Sequence, residues 1–275
     1  MPELPEVETV TNQIRPKLIG RKFLSVSFSD KNLRYNTPKA RFDLALNSCI
    51  EKVERRAKYI QIFLANKNVL ILHLGMSGCI KFNSVNSDRA KHDHIIAELD
   101  SDENFVFNDP RRFGMFDVTS EYDLKISKYF KDLGPEALSS DFNENYLHKV
   151  CKASKTSIKT VIMNQNIVVG VGNIYALESL FKTGIHPQTN ANQLTKSKCK
   201  KLIENIKATL LIAIEKGGSS IRDYKQVDGS SAYFQHEFLV YGKEGENCKI
   251  CGTKIERVVQ NNRSSFFCPN CQSLK

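Results

Sequence analysis

The sequence predicts an α+β chain of two domains with a small C-terminal appendix, and three observations carry that reading. Short β-like runs fill the first half, helical periodicity takes over beyond Leu133-Gly134-Pro135-Glu136, and four of the eight cysteines cluster at the C-terminus. At 275 residues the chain is long enough to bury a sizeable core in more than one domain. The boundaries expected are 1–133, 134–240 and 241–275.

Leu4, Val7, Val10, Ile14 and Leu18 recur at spacings of three and four, which predicts an amphipathic helix over 3–15. Pro5 suits its first turn, and Pro16 is expected to end it. Runs at 22–28, 58–64, 68–74, 78–82, 93–99, 104–107 and 112–118 are separated by Asn, Asp, Ser and Gly clusters. Several short strands at this spacing favour a sandwich or a barrel. Helices are expected at 141–151, 155–164, 173–183 and 195–216. The last has Thr195 as N-cap, Leu202, Ile206, Leu210 and Ile214 on one face, and Gly217-Gly218 at its end. The polar, glycine- and serine-rich stretch 217–232 reads equally as a loop over a site or as a linker.

Lys and Arg number 40 against 30 Asp and Glu, a net charge of +10 that points to a polyanion, most simply nucleic acid. A generally basic soluble protein has the same composition. No apolar run approaches the roughly 20 residues that cross a bilayer, and no signal-peptide core opens the chain, so a cytoplasmic location is expected. Cys49, Cys79, Cys151 and Cys199 are scattered and read as reduced, small hydrophobes.

Cys248-x2-Cys251-x16-Cys268-x2-Cys271 predicts a tetrahedral four-thiolate zinc site. A redox pair or a cluster ligand set are the alternatives, without a βαβ pattern to support the first. One structural Zn2+ and no organic cofactor are expected, the metal folding a segment too short to hold a core alone. Arg257, Asn261, Asn262 and Arg263 lie between the knuckles, where they suit phosphate contact or simple solvation. Gly170-Val171-Gly172-Asn173-Ile174-Tyr175 has tyrosine where a dinucleotide fingerprint needs its third glycine.

The chain opens Met1-Pro2-Glu3-Leu4-Pro5-Glu6. Removal of Met1 leaves a secondary amine whose reference pKa, about 8 against about 10.4 for lysine, keeps more free base at neutral pH. Such an amine condenses with a sugar carbon at aldehyde oxidation level to a charged iminium. Glu3 and Glu6 stand beside it, although acids at a helix N-terminus are also favoured by the macrodipole alone.

Read together and in order, the motifs resemble bacterial formamidopyrimidine-DNA glycosylase from end to end. They are Pro2-Glu3-Leu4-Pro5-Glu6-Val7-Glu8-Thr9, Arg55-Arg56-Ala57-Lys58-Tyr59, His73-Leu74-Gly75-Met76-Ser77-Gly78 and Lys91-His92-Asp93-His94. Asp109-Pro110-Arg111-Arg112-Phe113-Gly114, Leu133-Gly134-Pro135-Glu136, the segment Val169 to Ala176 and the cysteine hairpin complete the set. The resemblance implies an N-terminal helix on a β-sandwich, then a helical domain with a helix–two-turns–helix element, then a zinc-stabilised β-hairpin. Damaged double-stranded DNA would lie between the lobes, with no membrane partner and a monomeric protein.

By the same resemblance, Pro2 would attack C1′ of an extruded nucleotide and form a Schiff base, followed by β- and δ-elimination. Glu3 would assist at the sugar ring oxygen, Glu6 would orient the amine, and Lys58 would contact the phosphate beside the lesion. Arg263 is carried over among the catalytic residues. Met76, Arg111 and Phe113 match the family's insertion triad, whose apolar wedge offsets lost stacking while a guanidinium pairs with the widowed base. Asn173, His92, Tyr241 and Lys155 match DNA-contact positions, and 217–232 would close over an oxidised purine. The expected activity is a bifunctional glycosylase and AP lyase for 8-oxoguanine and formamidopyrimidines. The rivals are an endonuclease VIII-like enzyme for oxidised pyrimidines, whose opening has glycine where this chain has Leu4, and a non-catalytic zinc-containing DNA-binding protein.

Overall fold

The computed structural model describes residues 2–34, 39–219, 227, 229–230 and 232–274, so Met1 and most of the 217–232 stretch lie outside the described residues. The chain divides into two compact units, Met1–Lys131 with Lys216–Tyr233, and Asp132–Glu215 with Phe234–Lys275.

In the first unit, α1 (Leu4–Leu18) runs one turn past its expected end, with Pro16 inside it. Pro16 gives up one backbone hydrogen bond, but Ile14 and Leu18 are both 0% exposed. Burying a leucine contributes roughly 1.5–3 kcal/mol, which holds the last turn helical. Two antiparallel four-stranded sheets follow. One orders β1 (Phe23–Phe28), β6 (Asp93–Leu99), β7 (Glu103–Asn108) and β5 (Cys79–Ser84). The other orders β2 (Ile50–Arg56), β3 (Tyr59–Leu64), β4 (Asn68–His73) and β8 (Met115–Ser120). Their inner faces share one core with Val7, Val10, Ile14 and Leu18 of α1, so the unit is a β-sandwich carrying its first helix. Phe23 sits edge-on to Phe42 and Phe105, each at 6.0 Å. Strand β2 escapes the period-2 pattern because a bulge between Ile50 and Lys52 shifts its register.

The second unit holds α3 (Glu144–Lys152), α4 (Ile158–Met163), α5 (Asn173–Thr183) and α6 (Lys196–Glu215); a single-turn α2 (Lys39–Phe42) belongs to the first. Thr195 Oγ1 accepts the Lys198 N–H at 3.3 Å, the N-cap bond expected of it. Helix α5 ends on Gly184, whose φ of 70° is the left-handed cap. Cys151 and Cys199 are fully buried, Cys49 and Cys79 half-buried. The hairpin β9 (Glu256–Gln260) and β10 (Arg263–Phe267) turns through Asn261 and Asn262, both with positive φ. Leu177 and Phe181 of α5 pack with Val240, Cys248, Ile255 and Cys268, which seats the hairpin on that helix. Among the described residues, no helix is long and apolar enough to cross a membrane.

Candidate functional site

Pro2, Glu3 and Glu6 are all buried at the head of α1. Glu3 is the N-cap, and the two acids form a reciprocal capping box in which Glu6 Oε2 accepts the Glu3 N–H at 2.7 Å. The second Glu6 oxygen accepts from the Ser219 N–H at 2.8 Å and the Ser219 hydroxyl at 3.1 Å. That approach needs Gly218: its φ is +86°, and a Cβ there would lie 2.9 Å from the Glu6 Cγ. Gly217-Gly218 were expected to end the helix over 195–216 and to open a stretch read as a loop or a linker; Gly218 and Ser219 also fix the carboxylate four residues from Pro2.

Lys58 follows Ala57, whose φ of 55° makes the tight turn between β2 and β3. Its side chain is largely buried, at 8% exposure. Strand register places Tyr59 opposite His73, with their rings 4.9 Å apart. The His73 Nδ1 accepts the Gly75 N–H at 3.0 Å, which leaves Nε2 carrying the proton of a neutral ring. Burial, then the charges of Lys58 and Arg34, push its pKa down to about 4. Arg34, Tyr59, His73, Met115, Lys128 and Tyr129 line a cavity of about 320 Å3. Cations around a neutral donor suit an anion. Sequence reasoning quoted His73 only as part of a motif; its position beside the lysine turn, two strands away, was the unread signal.

Met76 is half-buried while Arg111 and Phe113 are exposed, and the Arg111 guanidinium lies 5.3 Å from the centre of the Phe113 ring. Their turns meet backbone to backbone, since a Cβ on Gly75 would fall 2.3 Å from the Phe113 carbonyl carbon. Of the His92-Asp93-His94 run, only His92 is partly exposed. Burial opposes ionisation of Asp93, but bonds from Asn108 and Lys81 outweigh it and hold its carboxyl below the usual range.

In the second unit, Asn173 opens α5 and donates from Nδ2 to the Ser264 carbonyl at 3.0 Å, next to Arg263. Its Oδ1 is buried with no hydrogen-bond partner among the described residues. Arg263 is exposed and lines a cavity of about 270 Å3 with Lys159, Thr160, Met163, Asn164, Gln260 and Asn261. Lys159, which sequence reasoning did not single out, is buried and donates to Ser265 Oγ at 2.6 Å; Lys155 is exposed. Tyr241 is half-buried, edge-on to Phe238 and Phe266. Its N–H, with those of Leu239 and Val240, is taken up by the buried carboxylate of Glu178 at 2.9–3.1 Å. Burial raises the Glu178 pKa, against those three bonds and Lys182. A lone acid inside the apolar run Tyr175–Phe181 was the sequence signal for this anchor.

The sulfurs of Cys248, Cys251, Cys268 and Cys271 lie within 4.8 Å of one another. Cys248–Cys271 is 4.0 Å and Cys251–Cys268 is 3.4 Å, bracketing the roughly 3.8 Å edge of a tetrahedron with Zn–S bonds near 2.3 Å. The donor set therefore fits zinc, closed by four protein ligands.

Comparison with known proteins agrees with this geometry. Residues 1–116 match the formamidopyrimidine-DNA glycosylase N-terminal domain, 133–225 the formamidopyrimidine-DNA glycosylase H2TH domain, and 245–274 a zinc finger found in FPG and IleRS. A formamidopyrimidine-DNA glycosylase of Wolbachia pipientis is 43% identical over 274 residues, covering 99% of this chain and 100% of the relative. The Lactococcus lactis Fpg in complex with DNA containing an abasic site superposes with a TM-score of 0.91 at 33% identity, covering 98% of this chain and 99% of the other. The same Lactococcus enzyme with DNA containing an oxidised pyrimidine gives 0.89 at 33% identity, over 99% and 100% of the two chains. The chain belongs to the formamidopyrimidine-DNA glycosylase family.

Proposed function

We propose that this protein is a bifunctional DNA glycosylase and AP lyase that removes oxidised purines, 8-oxoguanine and formamidopyrimidines, from duplex DNA in base-excision repair. The observation that carries the reading is the buried carboxylate pair beside Pro2. A helix start gains at most about 1 kcal/mol from surface acids, and burying them adds a desolvation cost. Glu3 and Glu6 are 5% and 2% exposed, and two carboxylates held buried at this point suit a cationic intermediate formed next to them.

In the proposed reaction the free Pro2 nitrogen attacks C1′ of the extruded nucleotide, the bond from C1′ to the base breaks, and the sugar ring opens to an iminium. Glu3 protonates the ring oxygen and serves the later proton transfers. Glu6, held by Glu3 and Ser219, fixes the turn from which Pro2 projects. Loss of a C2′ proton then expels the 3′ phosphate, and a second elimination expels the 5′ phosphate. Lys58 and the neutral His73 contact the phosphate beside the lesion, while Met76, Arg111 and Phe113 fill the vacated stack. Asn173, Arg263, His92, Tyr241 and Lys155 take the remaining DNA contacts, with Arg263 also assisting elimination. Cys248, Cys251, Cys268 and Cys271 would hold a zinc ion whose contribution is to fold the hairpin. The protein would act as a soluble cytoplasmic monomer.

The test is borohydride trapping on duplex DNA carrying 8-oxoguanine, with a native N-terminus. A covalent adduct is expected that vanishes in Pro2→Gly and when residues are appended before Pro2. An adduct that survives an appended tag removes Pro2 as nucleophile. Oxidised pyrimidines are a second substrate reading, favoured by the DNA held in the Lactococcus relative. The same trapping on such DNA ranks the two lesions.

A further inference from the structure

We propose that Asp109 is the positioning residue of the Met76–Arg111–Phe113 wedge, a buried carboxylate that joins two separate turns into one rigid piece. Asp109 is 0% exposed. Its Oδ1 accepts the Ser77 hydroxyl at 2.6 Å, and its Oδ2 accepts the Gly114 N–H at 2.6 Å. Ser77 follows Met76, and Gly114 follows Phe113. The Ser77 Oγ in turn accepts the Arg111 N–H at 3.1 Å. Each wedge residue is thus tied to this carboxylate or to the serine it holds: Arg111 through its own backbone, Phe113 through the backbone of Gly114, and Met76 through the side chain of Ser77.

The backbone of Asp109 is fixed as firmly as its side chain. Its N–H donates to the His92 carbonyl at 3.0 Å. Its carbonyl accepts from His94 Nε2 at 3.0 Å and from the Arg112 N–H at 3.1 Å. Ser29 Oγ lies 2.8 Å from His94 Nδ1, and by donating there it leaves the proton on Nε2 for Asp109. The turns have no slack in which to part. A Cβ on Gly114 would lie 2.9 Å from Asp109 Oδ2 and 2.6 Å from the Phe107 ring. Arg112, with φ at 56°, reverses the chain between the two exposed wedge residues.

The physical consequence follows from the cost of ordering. Three side chains that enter a base stack together pay backbone as well as side-chain entropy if their backbones are loose, and only the side-chain part if the backbones are already fixed. Hydrogen bonds to a buried charge are the strong kind, and removing one partner leaves the other unsatisfied. Asp109 touches no substrate in this scheme; it acts through the residues it holds.

The inference rests on the glycosylase reading, and the test separates the two. Full-length zinc-loaded protein would be assayed in single turnovers on duplex DNA with 8-oxoguanine and on the same duplex with a preformed abasic site, which has no base to extrude. Ser77→Ala, which cuts one arm, is expected to lower the lesion rate relative to the abasic rate by about tenfold, the factor one charge-assisted bond carries. Asp109→Asn should lower the same ratio. Ser77→Ala keeps the test sound if Asp109→Asn folds poorly. Simple loss of stability would depress both rates together, and an unchanged ratio overturns the proposal. A wild-type protein that traps on neither substrate overturns the glycosylase reading itself.

Discussion

The head of α1 and the C-terminal hairpin hold their charged groups by opposite means. Glu3 and Glu6 sit inside the sandwich unit, and Glu6 is saturated by N–H and hydroxyl donors from residues 3 and 219. The hairpin leaves Arg257 and Arg263 exposed and fixes only the platform beneath them, through four clustered sulfurs and the Glu178 carboxylate. A group that must face a reacting atom has its position set by burial. A group that must meet a hydrated phosphate keeps its solvent and needs only a firm base, because salt-screened phosphate contacts tolerate a mobile tip.

The sharpest way to break this contrast is to remove the platform. Cys268→Ser, or chelation, is expected to unfold the hairpin, since a structural four-thiolate zinc is worth on the order of 10 kcal/mol. Duplex affinity measured by fluorescence anisotropy should fall sharply, while the sandwich unit keeps its own melting transition. Unchanged affinity after zinc loss would end the hairpin's role in binding.

The next effect is on the buried side. Folding holds His73 near 4 against 6.5 in the unfolded chain, so the folded state prefers the neutral ring. The sign is that of a depressed pKa. Its contribution is complete above pH 6.5 and disappears as pH falls toward 4, up to about 3 kcal/mol. Denaturant melts from pH 7.5 to 4 should show wild type losing stability faster than His73→Gln on acidification. Parallel curves would remove His73 as the source.

A smaller effect compares two glycines of like backbone. Gly218 and Gly242 have φ of +86° and +74°, but only Gly218 would press a Cβ on a neighbour, Glu6. Gly242→Ala should cost only the left-handed conformation, about 1–2 kcal/mol. Gly218→Ala should cost more and also slow trapping, because it moves Glu6. Equal melting temperatures for the two variants would show that the Glu6 contact has slack.

What the sequence revealed follows the range of the interactions. Spacing alone located α1, most strands, α6 and the thiolate site, because each is written in a local repeat. The bulge hid β2, and Pro16 looked like a stop because its fixed φ and missing N–H are local signals, whereas the full burial of Leu18 that outweighs them is set by the rest of the unit. Glu178 stood out as a lone acid in an apolar run, but its partners, like those of Asp109 and Glu6, were illegible for one shared reason. Each is a carboxylate satisfied by backbone N–H or hydroxyl groups from chain far away or from a non-helical turn, which no periodicity records. Of the motif Lys91-His92-Asp93-His94, only His92 was given a contact role, and the fold buries Asp93 and His94.

The bond between Glu6 and Ser219 spans 213 positions of the chain. Synthesis proceeds from the N-terminus at about 5–20 residues per second, so Pro2, Glu3 and Glu6 leave the ribosome many seconds before their last donor exists. The head of α1 is therefore made long before the last of its contacts can form. A nascent or truncated chain ending before Lys216 carries Pro2, Glu3 and Glu6 without the Ser219 contact that holds Glu6.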